Sequence, residues 1–299
     1  CRLGITGDWE NPYKTMDFHA EARIASEFMK FIANDVIYQG SKPVMWSPVE
    51  KTALAEAEIE YKEHDSKTVW VKFSITSSKN FGASIVIWTT TPWTLPSNRA
   101  ISFNKQIPYS LYEIKTTEEE CWLSAGEKVI IADKLAEESL RKARVISFER
   151  LEDIKVEELE QIKVKHPFSE TVGSEGFWDY DIPVIESSFV TEEVGTGFVH
   201  MAPSHGAEDY EEFAKRGWTN QLTHNVEEDS SFADKVPFFG GLLIFDKKGR
   251  EAKGNEAIIQ KLIEVGALMA RGRLKHSYPH SWRSKAPLIF RNTNQWFVS

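Results

Sequence analysis

The chain has 299 residues, 41% hydrophobic and 27% charged, and this balance excludes a disordered, collagenous or coiled-coil protein. It has no charge-free run of apolar residues long enough to span a bilayer, and its two cysteines are too few for a disulfide framework, so we expect no membrane partner and a reducing, cytoplasmic location. The 36 Lys and Arg against 45 Asp and Glu give a net charge of −9, so any nucleic-acid role must depend on local patches.

The first predicted element is an amphipathic helix. Apolar residues recur at alternating steps of four and three from Phe18 to Val36, which predicts a helix that ends between Asn34 and Gly40. Its apolar stripe is expected to pack on a neighbouring structure. The chain starts at Cys1 without an initiating methionine, which suggests an excised fragment.

Short segments rich in β-branched and aromatic residues follow, and each predicts a strand. These segments are 68–75, 84–91, 100–103, 109–114, 121–124 and 145–148. The continuous apolar run 85–88 predicts a central strand that is buried on both faces. Many short strands at close spacing favour a barrel or a sandwich over a doubly wound parallel sheet.

Helices interrupt the strands at 132–143, 206–216 and 258–266, and a last strand is expected within 282–299. The predicted fold class is therefore mainly β, a barrel-like domain with helical insertions.

The segment 88–98 (WTTTPWTLPSN) is the first candidate for chemistry. It places the hydroxyls of Thr89, Thr90 and Thr91 at the end of the buried strand, before a loop that two prolines stiffen. This pattern indicates a rigid polar rim. Threonine is also an ordinary strand residue and Pro-Trp an ordinary turn, so a structural role stays open.

The segment 195–210 (GTGFVHMAPSHGAEDY) is the second candidate. Its two glycines lack the third of a dinucleotide fingerprint. A helix that begins near Gly206 would place Asp209 in its first turn, where the helix dipole stabilises a carboxylate. A helix-capping acid and two hydrogen-bonded histidines are the structural alternative. His200 and His205 are five residues apart with a proline between them, unlike the i, i+4 pair of a zinc hydrolase.

Together the two segments resemble the editing domain of isoleucyl-tRNA synthetases, a large insertion in the catalytic core. Residues 7–9 and 13–18 resemble the stretch before the insertion, and residues 281–297 (SWRSKAPLIFRNTNQWF) resemble the stretch after it. Thr91 and Gly206 stand where the valyl and leucyl enzymes have Arg and Asp, and His200 after Phe-Val is the isoleucyl pattern.

The resemblance covers nearly the whole chain and implies three parts. Residues 1–40 would be a helical junction from the catalytic core, 41–280 the editing domain, and 281–299 a strand that returns to the core. The nucleotide-binding HIGH and KMSKS signatures of the ATP-binding parent enzyme are absent from the sequence. We therefore expect no amino-acid activation by this chain.

The implied activity is hydrolysis of the ester that joins valine to tRNA(Ile). Isoleucine exceeds valine by one methylene, a difference already recognised for these enzymes as worth only ~1 to 3 kcal/mol in an apolar pocket. A second, smaller pocket then removes valine by hydrolysis. The implied partners are the 3′ end of tRNA(Ile) carrying valine and the remaining domains of the parent synthetase. The alternative is a tRNA acceptor-end binding module without activity in isolation.

Residue by residue, the resemblance assigns Asp209 to the α-ammonium of the amino acid and His200 to the side-chain pocket. It places Thr89, Thr90 and Thr91 against the adenosine and the ester, with Asn98 in the same shell. His205 is placed with the substrate-binding residues. The sequence leaves open whether His200, His205 or the substrate itself activates water.

Two tryptophans are further candidates for substrate binding. Trp88 and Trp93 could stack on the terminal adenosine, as aromatic side chains do with single-stranded RNA ends. They could equally be buried structural residues.

Many members of this family carry a small zinc knuckle made of two Cys-x-x-Cys pairs. The matching positions in this chain are Ser47, Glu50, Ser281 and Ser284. Because all four thiols are missing, we expect no zinc there, and the hydrolysis needs no cofactor.

Overall fold

A computed structural model describes residues 2–77, 80 and 82–299. The α-helices are α1 (Phe18–Ala33), α2 (Asp133–Lys142), α3 (Val156–Leu159), α4 (Ala207–Lys215) and α5 (Gly254–Glu264). The strands are β1 (Ile37–Ser47), β2 (Thr52–Ala53), β3 (Ile59–Ser77), β4 (Ser84–Thr89), β5 (Ala100–Phe103), β6 (Tyr109–Thr117), β7 (Lys128–Ala132), β8 (Val145–Ile154), β9 (Lys163–Lys165), β10 (Asp181–Glu186), β11 (Val199–Met201), β12 (Leu268–Ser281) and β13 (Ile289–Val298). Short 3-10 helices occupy Glu56–Glu58, Pro92–Ser97 and Thr219–Gln221.

The chain divides into two compact units, one within residues 1–42 and 293–299 and the other within 43–292. The smaller unit contains α1, which confirms the predicted amphipathic helix. None of the residues of α1 is buried, and its apolar side chains such as Phe28 and Met29 are exposed. In the same unit Tyr38 stacks on Phe297 with ring centroids 5.6 Å apart. The domain boundaries expected at residues 40 and 280 stay a prediction.

The larger unit is built mainly on a ten-stranded mixed sheet, which confirms the mainly β class. The strand order is β11-β5-β10-β9-β3-β4-β7-β6-β8, and β12 pairs with β3. Most neighbours are antiparallel, whereas β10 with β5 and β4 with β7 are parallel. In the described residues β11 and β8 do not pair with each other, so the sheet is open rather than a closed barrel.

The predicted central strand is confirmed as β4, which lies between β3 and β7. Ile85, Val86 and Ile87 are completely buried. A strand covered on both faces has no polar side to alternate with, which explains its continuous apolar run. The strand ends at Thr89, three residues before Pro92, the first residue of the 3-10 helix.

One strand prediction needs correction, and one long strand was not predicted. Residues 121–124 form a bend instead of a strand, and the Cys121 backbone N–H donates to the Glu118 carbonyl and its thiol to the Ala143 carbonyl. The sequence also gave no sign of β12, whose exposed positions are mostly charged. It pairs with β3 from Val71–Leu268 to Ile59–Ser281 and forms a long antiparallel ribbon, the β3–β12 ribbon. No helix in the described residues is long and apolar enough to cross a bilayer.

Candidate functional site

The end of β4 is shaped by hydrogen bonds among threonines. The Thr91 backbone N–H donates to the Thr89 hydroxyl oxygen at 3.1 Å, and the two hydroxyls are 3.2 Å apart. The Thr94 N–H and hydroxyl both donate to the Thr91 carbonyl, at 3.0 and 2.9 Å, which starts the 3-10 helix Pro92–Ser97. Residues 89–91, called the threonine loop below, are therefore fixed by their own side chains. Thr90 is partly exposed.

The second motif is the segment from Gly195 to α4. Gly197 has φ +78°, and a Cβ there would lie 2.4 Å from the Ala132 Cβ, so only glycine fits. Gly206 precedes α4, and a Cβ there would lie 2.9 Å from the Asp209 carboxylate. That space lets Asp209 reach back over the start of its helix and accept the Ala202 N–H at 2.8 Å.

His200 joins the two motifs directly. Its Nε2 lies 2.8 Å from the Thr94 hydroxyl, and its Nδ1 lies 3.1 Å from the Asn98 side-chain nitrogen. Because the single Thr94 hydroxyl proton goes to the Thr91 carbonyl, His200 Nε2 is the donor and Nδ1 accepts from Asn98. Burial, and secondarily His205, lower the pKa of His200 to about 3, so the ring is neutral.

His205 makes a second connection between the motifs. A carbonyl can only accept, so His205 Nδ1 donates to the Phe290 carbonyl at 2.9 Å, and Nε2 accepts from the Ser97 hydroxyl at 3.1 Å. Burial lowers its pKa to about 4. Trp93 is buried and packs edge-on against His205 with ring centroids 5.0 Å apart. Both ring nitrogens of His205 are therefore occupied, as they are in His200.

Asp209 is the acidic group that α4 directs toward the second motif, whereas its neighbour Glu208 is exposed. Only one of its oxygens, Oδ2, has a hydrogen bond within the described residues. Burial raises the pKa of Asp209 to about 6, because water no longer solvates the charged form freely. No hydrogen bond or ion pair links Asp209 to the threonine loop in the part of the chain that is described.

The two tryptophans differ in accessibility. Trp93 is 3% exposed and leaves little ring surface for a ligand, whereas Trp88 is partly buried and lies 6.1 Å from Trp70 between ring centroids. A Cβ on Gly195 would lie 3.2 Å from the Trp88 ring, so this glycine allows the second motif to approach it. Stacking of an adenosine on either ring stays a prediction.

Three residues that the sequence analysis missed contact backbone carbonyls at the end of the 3-10 helix Pro92–Ser97 and at Asn98. His166 Nε2 lies 2.9 Å from the Leu95 carbonyl, Trp178 Nε1 donates to the Pro96 carbonyl at 3.0 Å, and the Tyr180 hydroxyl donates to the Asn98 carbonyl at 2.7 Å. We call His166, Trp178 and Tyr180 the aromatic bracket. They lie 71 to 82 residues from their partners along the chain, and no local spacing indicates such contacts.

The four positions that match the zinc knuckle come together around one carboxylate. Glu50 accepts the Ser281 hydroxyl at 2.8 Å and the Ser284 N–H at 2.9 Å, and the Glu50 N–H donates to the Ser47 hydroxyl at 3.2 Å. Burial opposes ionisation of Glu50, but these serine donors outweigh it and lower its pKa. Three hydroxyls and a carboxylate that is already hydrogen-bonded do not fit the thiolate and imidazole preference of structural zinc.

Comparison with known proteins places the chain in a family. Residues 1–299 match the model of the class I tRNA synthetases (I, L, M and V). The isoleucine–tRNA ligase of Ruegeria pomeroyi is 54% identical over 100% of this chain and 31% of the relative, and that of Caulobacter vibrioides is 48% identical over 99% and 31%. The chain thus spans about a third of the length of these curated relatives.

Among solved structures, the editing domain of the cytosolic leucyl-tRNA synthetase of P. knowlesi has a TM-score of 0.40 and 14% identity. That match covers 59% of this chain and 72% of the other. The match of the family model over all 299 residues shows that the chain belongs to the class I tRNA synthetases.

Proposed function

We propose that this chain is the editing part of an isoleucyl-tRNA synthetase and hydrolyses the ester of valyl-tRNA(Ile). Its relatives of about 50% identity are isoleucine–tRNA ligases, which supports the choice of isoleucine as the correct amino acid. In this proposal residues 41–280 carry the hydrolytic site, and residues 1–40 and 281–299 connect it to the remaining domains. A cytoplasmic location is part of the same proposal.

One observation carries the proposal: His200 hydrogen-bonds both Thr94 and Asn98, so two motifs about 100 residues apart form one site. A neutral, buried imidazole held at both nitrogens has a fixed position and bulk. An imidazole fixed in this way can form one side of a pocket that admits valine and excludes isoleucine, which is larger by one methylene. The role we give His200 is selectivity.

Asp209 is proposed to bind the α-ammonium of the esterified amino acid. Its carboxylate is ionised above about pH 6 and is held in place by the Ala202 N–H at Oδ2. The other oxygen is available for a charge-assisted hydrogen bond, which is shorter and stronger than a neutral one. An ammonium anchored there would orient the ester carbonyl.

The hydroxyl groups of the threonine loop are proposed to line the ester and the terminal ribose. Hydrolysis of an ester requires an oriented water and hydrogen-bond donors at the developing oxyanion, and no covalent intermediate. His200 and His205 have no free ring nitrogen, so in this proposal they position other groups and do not take up the proton of the water.

The test uses two substrates. The chain is incubated with tRNA(Ile) charged with valine and, separately, with isoleucine, and release of each amino acid is followed over time. We expect valine to be released and isoleucine to be retained. Release of neither amino acid, together with measurable binding of the tRNA, would instead establish the alternative of an acceptor-end binding module. Because the chain has a net charge of −9, we expect its affinity for tRNA to be weak at ordinary salt.

A further inference from the structure

A small cleft opens between the threonine loop, the β3–β12 ribbon and α5. Thr90 and Thr91 line one side of it, His64 and Lys67 the ribbon side, and Asn255 the helix side. Its volume is about 20 Å³, which accommodates roughly one water molecule. Most of the residues that line it have polar side chains, and a bound water requires polar partners.

His64 is the imidazole in this cleft. Its ring packs on Tyr278 with centroids 4.9 Å apart and an interplanar angle of 30°, and it meets His280 edge-on at 5.8 Å. No hydrogen bond engages its ring nitrogens within the described residues. His64 therefore differs from His200 and His205, whose nitrogens are all occupied.

Burial and two neighbouring histidines favour the neutral form of the His64 ring. Burial is the largest cause of its lowered pKa, followed by the neighbouring His280 and His276, and these outweigh Glu251 and Asp65. Lys67, on the same strand, is paired with Glu251 at 3.3 Å and with Glu256 at 2.8 Å. A neutral imidazole is the form that can accept a proton at pH 7.

We propose that His64 is the general base of the hydrolysis, acting on a water held in the cleft beside Thr90 and Thr91. This inference rests on the proposed function and adds to it the group that activates water. It follows from the geometry, because the cleft has room for one water and His64 is the imidazole in it with free nitrogens.

The step balances as follows. The water oxygen forms a bond to the ester carbonyl carbon while His64 accepts one proton of the water. The tetrahedral intermediate then collapses, the bond from the carbonyl carbon to the ribose oxygen breaks, and the imidazolium returns its proton to that oxygen. The products are the free amino acid and tRNA with an intact terminal hydroxyl.

The experiment compares His64→Gln and His64→Ala with the wild type in the full-length parent synthetase. His19→Gln, the same change at an exposed histidine of α1, is the matched control. Release of valine from valyl-tRNA(Ile) is measured under saturating and subsaturating tRNA, so that kcat and KM are separated. Added imidazole is tested for rescue of His64→Ala, and thermal melts verify folding.

We expect His64→Gln to lower kcat by at least about 100-fold with little change in KM, the range typical for loss of a general base. His19→Gln should retain the wild-type rate, and imidazole should restore part of the rate of His64→Ala. A loss of less than threefold in a folded His64→Gln, or a loss that imidazole does not rescue in His64→Ala, overturns the inference. Failure of the wild type to release valine would instead refute the proposed function itself.

Discussion

The hydroxyl of Tyr180 donates to the carbonyl of Asn98 at 2.7 Å, and the side chain of Asn98 donates to the ring of His200 at 3.1 Å. A residue outside both motifs thus acts on the buried histidine through one intermediate. The other two members of the aromatic bracket hold the carbonyls of Leu95 and Pro96 in the same way. The bracket therefore holds three backbone carbonyls of the first motif in place.

Tyr180→Phe removes one hydroxyl and leaves the Asn98 carbonyl without that donor. We expect the free energy of unfolding to fall by ~1 to 2 kcal/mol and valine release to slow. Tyr112→Phe is the control, because it removes a hydroxyl that donates to Asp133 instead, at 2.8 Å. Urea unfolding and deacylation rates check both variants. Equal effects of the two variants on deacylation would contradict a role for the bracket.

Asp209→Asn should slow valine release by roughly 10- to 150-fold while keeping the fold. The amide oxygen can still accept the Ala202 N–H, but the negative charge that binds an ammonium is lost, at a cost of ~1.5 to 3 kcal/mol in binding. Glu208→Gln removes the same charge one residue earlier, from an exposed position, and should keep near-normal activity. Deacylation assays decide between them. An active Asp209→Asn with an inactive Glu208→Gln would show that the wrong carboxylate was chosen.

The same Asp209→Asn variant should be more stable than the wild type at pH 7. Burial raises the folded-state pKa of Asp209 to about 6, above the unperturbed 3.8, so the folded state binds the proton more tightly than the unfolded state. This proton-linked stability is present below pH 3.8 and is lost as the pH rises through about 6. The free energy of unfolding of Asp209→Asn should therefore exceed that of the wild type by an amount that grows over this pH range to ~2 to 3 kcal/mol. Urea unfolding at several pH values measures it, and parallel curves for the two proteins would refute the raised pKa.

His200→Ala should enlarge the pocket and admit isoleucine. Hydrolysis of isoleucyl-tRNA(Ile) is expected to appear while release of valine persists in part, because one methylene is all that separates the substrates. The unpaired Thr94 and Asn98 groups should cost ~1 to 3 kcal/mol of stability. His224→Ala, at an exposed histidine, is the control. Loss of valine release without any gain toward isoleucine would make His200 a residue of folding or catalysis instead.

Protein purified without chelator should contain no stoichiometric zinc, and a chelator should leave its melting temperature unchanged. The reason is the chemistry around Glu50, where serine hydroxyls and a backbone N–H already use the carboxylate. Elemental analysis and thermal melts check this. About one zinc per chain would contradict the prediction and require a search among the histidines.

The sequence predicted best where one strong local pattern decides the structure. The run at β4 has no polar alternation, and helical spacing separates Asp209 from Glu208 by ~100°, in agreement with the partly buried position of Asp209 and the exposed position of Glu208. Prediction failed for β12. Its exposed residues Arg271, Arg273 and Lys275 are charged, and a run of charged residues is typical of a loop rather than a strand.

Within the site, the sequence indicated the motifs but not what connects them. Thr94 and Ser97 were overlooked, although they bond directly to His200 and His205. The aromatic bracket and His64 come from distant segments, and only tertiary folding brings them to the site. Such contacts are set by sheet order, which local periodicity does not contain.

Strand β8 is the last strand of the large sheet, and most of its side chains are exposed. A free sheet edge is a template on which a second molecule can add a strand. In β8 the exposed positions include Glu149, Arg150 and Asp153, and adding another copy of this strand in parallel register would bring like charges side by side and remove them from water. The charge pattern of β8 thus protects an open sheet from polymerisation, and neutral substitutions there should increase aggregation before they affect the site.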